Sequence, residues 1–287
     1  MERFVDISAD TRLWVQEIGD AGISPLLLIM GANASSMACP DALVRTLAEH
    51  HRVIRYDHRD TGRSSWAFDK NPYAVGDLAR DAIAILDALD VKRAHVVGVS
   101  MGGVLVQLLL LDHPDRLLSA TMIITSALGA GLAADPNDDK APALPGPDPR
   151  LVRLWEHFTD PRSREEELAW RVEYQRILAG SVLAFDAEEF RRVEERAMDH
   201  AGRHDHPAAH ARAAATGFHR AAELAGVRTP TLVIEGPEDP VNPPPHSRHL
   251  AQLIPTSRLV TVPGMGHALS AAVVDPVCQA ILTHSSS

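Results

Sequence analysis

Three residue types, at three places in this chain, could together drive a serine hydroxyl onto a carbonyl. Ser100 stands at the centre of His95-Val-Val-Gly-Val-Ser-Met-Gly-Gly103, with a short apolar run before it and a long apolar helical pattern from Val104. The order strand, sharp turn, helix holds such a serine out at the end of a buried strand. Gly98 and Gly102 flank it where backbone crowds backbone and a Cβ would clash. A hydroxyl is a weak nucleophile near neutral pH; it needs a base to take its proton and an acid to orient that base. A candidate for each lies downstream. Of fifteen histidines, His267 alone sits on the loop after the last predicted strand, at the end of Val262-Pro-Gly-Met-Gly-His267. Asp239, stiffened by Pro240, sits where the preceding strand ends, in Glu235-Gly-Pro-Glu-Asp-Pro-Val241, with Glu238 as the competing carboxylate. An oxyanion on the attacked carbonyl needs aimed N–H donors. The Met101 amide opens a helix whose dipole favours negative charge, and the loop after Leu26–Met30 offers the Ala32 amide.

Those side chains require a scaffold of strand ends, and hydrophobic patterning predicts one. Phe4–Ser8 and Leu13–Ile18 read as antiparallel strands around Ala9-Asp10. Leu26–Met30 is continuously apolar, as in a strand buried on both faces. Arg52–Tyr56, the run into Ser100, Leu117–Thr125, Thr231–Glu235 and Arg258–Val262 read as further strands. Helical patterns cover Asp41–His50, Val75–Leu89, the stretch from Ser100 to about His113, His246–Leu253 and roughly Ala268–Thr283. Alternation of this kind implies βαβ units and a mostly parallel sheet with helices on both faces. It breaks between Pro136 and Pro149, where five of fourteen residues are proline. Three helical patterns follow without a strand: Leu151–His157, Arg164–Ala179 and Asp186–Ala201. The expected division is a catalytic core of 1–127 and 218–287 and a helical cap of 128–217, the place for a lid.

Composition narrows the function classes. A chain of 287 residues, 45% apolar and 23% charged, suits one large α/β domain with an insertion. A net charge of −10 leaves no broad basic face for nucleic acid or an anionic membrane. No apolar run reaches the roughly 18 residues of a membrane span. Two distant cysteines, Cys39 and Cys278, fit neither a disulfide framework nor a zinc site, and the N-terminus lacks a signal-peptide pattern, so a cytoplasmic address is expected. Nothing near Cys39 would lower its pKa. His204, His206 and His210 are spaced like ligands but lack a carboxylate or cysteine partner, and read as a solvated polar stretch with no metal. Within Asp57–Ser64, Arg59 and Asp60 are expected to pair. Trp155, Trp170, Phe185 and Met198 fall on apolar phases of cap helices. Substrate contacts are expected from Asn33, Trp155, Phe185 and Met265.

Over essentially the whole chain, the turn at Ser100, the order Ser100, Asp239, His267 and the late helical insertion resemble the α/β-hydrolase fold with a cap domain. More narrowly, the chain resembles the aclacinomycin methylesterase-type carboxylesterases of actinomycete polyketide pathways. That resemblance rests on Met30-Gly-Ala-Asn33, Tyr56-Asp-His-Arg-Asp-Thr-Gly-Arg-Ser64, Gly98-Val-Ser-Met-Gly102, Arg176-Ile-Leu-Ala-Gly180, Glu195-Arg-Ala-Met-Asp-His-Ala-Gly202 and Pro263-Gly-Met-Gly-His-Ala-Leu269. It implies an eight-stranded, mostly parallel sheet with a helical cap and no cofactor. It implies a catalytic triad of Ser100, Asp239 and His267, with the Ala32 and Met101 amides as oxyanion donors. The implied substrate is a small-molecule ester, a methyl ester of a bulky polycyclic or similar apolar molecule. The chain departs by carrying Ala32 where that family has glycine, and by a shorter, more proline-rich Gly129–Pro149. Dehalogenase and epoxide-hydrolase chemistry would need an aspartate where Ser100 stands. Acyl transfer or thioester hydrolysis by the same triad, and a binding protein of this fold without turnover, are the alternatives. Monomer and homodimer both stay open.

Overall fold

Alternating apolar strands and amphipathic helices build one eight-stranded sheet in the computed structural model, which describes residues 1–131, 142–215 and 218–286. The strands are β1 (Glu2–Ser8), β2 (Thr11–Ile18), β3 (Pro25–Ile29), β4 (Arg52–Tyr56), β5 (Ala94–Val99), β6 (Leu117–Ile123), β7 (Thr231–Glu235) and β8 (Ser257–Thr261). Their order across the sheet is β1-β2-β4-β3-β5-β6-β7-β8. β2 runs antiparallel to β1 and to β4, and every other pairing is parallel. The expected strands are all present, and the two N-terminal ones start two residues early.

The side-chain period of two sorts β3 between two cores. Leu26 and Leu28 pack with α1 (Asp41–Ala48) and α9 (Ala271–Ser285) on one face. Leu27 and Ile29 pack with α2 (Val75–Ala88) and α3 (Met101–Asp112) on the other. With both faces covered, all six residues of β5 are buried. Each fully buried Leu or Ile contributes about 2 kcal/mol of transfer free energy, so the register that brings the ends of β3 and β5 level is strongly fixed.

Between β5 and α3 the chain turns at Ser100, with φ 54° and ψ −117°. A Cβ on Gly98 would lie 2.2 Å from the Gly102 carbonyl oxygen, and one on Gly102 would lie 2.3 Å from the Ile29 carbonyl oxygen. The helix start is therefore wedged onto the ends of both central strands.

After β6 the described residues up to β7 hold helices and no strand, apart from a single bridge between Ala74 and Ala214. These are α4 (Pro149–Trp155), α5 (Arg164–Leu178), α6 (Ala187–Ala201), α7 (Ala209–Arg212) and a 3-10 helix over Ala221–Gly226; α8 (His246–Leu253) follows β7. Helix α4 begins two residues earlier than its apolar pattern, because Asp148 accepts from the Arg150 amide at 2.7 Å and Pro149 takes the first helical position. Ser163 and Glu166 form a capping box on α5, Asp186 caps α6, and Gly202 ends α6 with φ 66°. Leu128 and Ala130, the first residues of the expected insertion, are buried in the sheet-side core. Much of the proline-rich run, 132–141, lies outside the described residues. Among the described residues no helix is long and apolar enough to cross a membrane.

The sequence-specific wedge gives a direct test. Gly98→Ala should destabilise by about 3 kcal/mol through overpacking, lowering the melting temperature by roughly 6–12 °C. Gly146→Ala, with no atom within 4 Å of the added Cβ, should leave it within about 2 °C. Calorimetry that finds the two variants equal would contradict the wedge.

Candidate active site

The loop after β8 carries His267 back over the end of β5. Its Nε2 lies 2.9 Å from Ser100 Oγ, and its Nδ1 lies 2.9 Å from Asp239 Oδ1. A carboxylate only accepts, so Nδ1 carries the proton and Nε2 is free to accept from the serine hydroxyl. Asp239 is 3% exposed. The same Oδ1 also accepts from the amides of Val241 at 2.8 Å and Asn242 at 2.9 Å, which fixes the carboxyl plane. Glu238 points elsewhere, with its carboxylate 3.5 Å from Ser181 Oγ. Ser100 is locked from behind: its amide donates to the Ile123 carbonyl at 2.9 Å and its carbonyl accepts from Thr125 Oγ1 at 2.8 Å.

Helix α5 holds the histidine loop as firmly. The His267 amide donates to the Leu178 carbonyl, at the end of α5, at 2.6 Å. A Cβ on Gly266 would meet that carbonyl oxygen at 2.4 Å, so the approach depends on the glycine.

Ala32 and Met101 both line the same cavity as Ser100 and His267, and neither amide donates to an acceptor among the described residues. A Cβ on Gly31 would stand 3.3 Å from Ser100 Cβ, so the loop after β3 lies against the serine. The cavity holds about 510 Å³, within the range of small-molecule sites. Its floor is this polar cluster and its roof is aromatic, from Trp155, Phe158, Tyr174 and His206.

A family model for the α/β-hydrolase fold matches residues 24–271. The chain belongs to the α/β-hydrolase family. Rhodomycin D methylesterase DauP of Streptomyces sp. (strain C5) is 45% identical over 284 residues, covering 96% of this chain and 95% of that protein. Rhodomycin D methylesterase DnrP of Streptomyces peucetius is 44% identical over the same shares. Among solved structures, a hydrolase from Pseudomonas aeruginosa PA01 superposes with a TM-score of 0.75 at 27% identity, covering 100% of this chain and 98% of that one.

Several sequence expectations about this α/β-hydrolase need correction. Asn33 and Trp155 line the cavity, whereas Phe185 and Met265 do not. Phe185 stacks on Phe190 at 4.9 Å under the Arg176 guanidinium, and Met265 is wholly buried in the core beneath the His267 loop. Beside Trp155, the aromatic wall is built from residues that periodicity did not single out. Phe158 lies in the loop after α4 and stacks on His206 at 4.4 Å, and Tyr174 accepts from Trp155 Nε1 at 3.1 Å. Trp170 stacks on Tyr174 one helical turn away, a spacing of four that could have flagged Tyr174. Arg59 pairs with Asp81 of α2, at 2.7 and 2.6 Å, and not with Asp60. Asp60 has φ 59°, and its carboxylate turns onward to the amides of Ala67 and Phe68.

The histidine stretch is solvated only at its start, with His206 half-buried. His210 is 5% exposed, and only His204 of the three is open to solvent. Among the described residues no cluster of His, Cys, Asp or Glu could hold a metal ion. Burial pushes the pKa of His210 down to about 4. Burial, then the neighbouring Arg171, takes His206 down to about 3, and burial with His210 beside it takes His58 to about 3. Cys39 is inert, its thiol pushed up to about 12 by burial.

These neutral histidines set the pH dependence of stability. Unfolded histidine titrates near 6.5, above the folded values of His58 and His210. Below that pH the unfolded chain binds protons that the folded chain refuses, so stability present at neutral pH is lost as pH falls toward about 4. Urea unfolding at pH 5 should give a free energy roughly 2–4 kcal/mol below that at pH 7. Equal values at the two pH values would contradict burial of neutral imidazoles.

Proposed function

We propose that this α/β-hydrolase cleaves carboxylic esters, with a methyl ester of a bulky, largely apolar and polycyclic acid as its substrate class, through an acyl-enzyme on Ser100. The observation that carries the reading is the hydrogen-bonded chain Ser100, His267, Asp239 on the floor of an aromatic-roofed cavity. In the first step Ser100 Oγ attacks the ester carbon while His267 Nε2 takes its proton. Asp239 holds the imidazole in the required tautomer and stabilises the imidazolium. Charge on the former carbonyl oxygen is received by the Ala32 and Met101 amides, a donor pair worth about 3 kcal/mol or more per donor. His267 then protonates the departing alkoxide, which leaves as the alcohol. The same imidazole activates water, whose attack releases the carboxylic acid and restores Ser100.

The two methylesterase relatives support a small alcohol as the leaving group. The roof of Trp155, Phe158, Tyr174 and His206 supports a flat acyl part, because offset ring stacking rewards planar partners. Residues 128–217 would then act as the cap and 1–127 with 218–287 as the catalytic core. Asn33 and Trp155 are the substrate contacts this reading retains. The free, buried Cys39 and Cys278 support a reducing, cytoplasmic address.

Methyl esters of polycyclic aromatic acids, assayed by release of methanol, test the reading. Ser100→Ala should lose all measurable turnover while keeping the wild-type melting temperature. Asp239→Asn should lower kcat by about 10⁴, and Glu238→Gln should leave it within about twofold. A fast Asp239→Asn beside an inactive Glu238→Gln would transfer the acid to Glu238. Products dominated by transfer to an added alcohol would replace hydrolysis with acyl transfer.

A further inference from the structure

The amide of Asn33, next to Ala32 in the loop against Ser100, is already committed. It donates to Nδ1 of His210 at 2.8 Å, and the His210 amide donates back to Oδ1 of Asn33 at 3.1 Å. The other ring nitrogen, Nε2, lies 2.9 Å from the Arg59 carbonyl oxygen. A backbone N–H only donates and a backbone carbonyl only accepts. The partners therefore admit one form of His210: neutral, with the proton on Nε2 and a lone pair on Nδ1.

The consequence falls on Ala32. The peptide between Ala32 and Asn33 is planar, so the bond from Asn33 N–H to His210 fixes that plane and the Ala32 carbonyl in it; the Ala32 N–H, in the preceding peptide, is anchored through the Ala32 Cα it shares with that plane. Asn33 has φ 59°, in the left-handed region that asparagine adopts more readily than other non-glycine residues. His210 lies on α7, far from the loop in sequence, and lines the cavity beside it. With the Asn33 amide spent, Ala32 is the residue of this pair whose amide stays available to a substrate oxygen.

We propose that His210 is a positioning residue: by accepting the Asn33 amide proton it holds the loop after β3 so that the Ala32 amide can receive the oxyanion. The proposal rests on the ester-hydrolase reading above. It assigns His210 a role in the rate and not only in fastening α7 to the core.

Two half-isosteres separate those roles. Asparagine places an acceptor oxygen where Nδ1 stands and has nothing at Nε2; glutamine places a donor nitrogen where Nε2 stands and has no acceptor at Nδ1. H210N should keep kcat within about threefold of wild type. H210Q should lower kcat at least about tenfold, a fraction of the loss on deleting an oxyanion donor outright, with KM changed less than about threefold. Melting temperatures are measured alongside. A wild-type rate in H210Q, equal losses in the two variants, or rate losses that simply track melting temperature would overturn the proposal. Nitrogen-15 spectra of histidine-labelled wild type supply a readout that needs no variant to fold. They should show His210 protonated on Nε2 and bare on Nδ1 at neutral pH, and the opposite tautomer would overturn the lock. Failure of the wild-type enzyme on every ester tried would instead strike the hydrolase reading, and the spectra would still decide the lock.

Discussion

The close approach of β3, β5 and the first turn of α3 is the constraint on which the site depends. Backbone touches backbone there, at positions where a Cβ on Gly98 or Gly102 would stand little more than 2 Å from a carbonyl oxygen. That packing forces Ser100 into a left-handed turn, a conformation costing about 1–3 kcal/mol in isolation. The cost is borne by two strands whose faces are both buried. The result is a hydroxyl that projects from a rigid base, together with a helix start whose free amide lies beside it.

The second dependence runs between the helices after β6 and the sheet. The Leu178 carbonyl, at the end of α5, accepts from the His267 amide, so His267 is seated by that helix as well as by its own loop. Helix α6 grips the other side. Arg196 donates to the Met37 carbonyl at 2.6 Å and pairs with Asp41. His200 Nε2 lies 2.7 Å from Asp57 Oδ2, whose partner oxygen accepts from Ser35 and Ser36 in the segment that continues the oxyanion loop. Burial alone would raise the Asp57 pKa. The His200 contact and the amides of Arg63 and Ser36 outweigh it and hold the carboxyl below its usual range. Helices α5 and α6 thus do more than wall a cavity: they fasten the loop that carries His267 and the segment that follows Ala32.

The elements and the site differ in how far the sequence reveals them. Strands and helices were legible because burial on one or both faces writes a period into the chain, as in Leu26–Ile29 or α2. Ser100, Asp239 and His267 were legible because each stands at a strand end among glycines and prolines that only a tight loop needs. Partners set by tertiary packing were not. Nothing local says that Arg59 reaches Asp81 on α2, or that, of the histidines spaced like solvated polar residues, His206 is half-buried and His210 buried. The aromatic roof was half legible: Trp155 lay on a helical phase, but Phe158 follows the helix end, Phe185 stacks on Phe190 without lining the cavity, and Met265 turns into the core. The start of α4 at Asp148-Pro149 could have been read from its cap, and the apolar pattern alone hid it.

Everything in the proposed reaction turns on Ser100 as the nucleophile, driven by His267. Treating the folded protein with a fluorophosphonate and mapping the adduct by peptide mass spectrometry tests it most directly. The account predicts one adduct, on the hydroxyl of Ser100, formed rapidly by the wild type and at least about a hundredfold more slowly by His267→Ala. An adduct on another residue, or labelling of Ser100 at the same rate without the histidine, would contradict it.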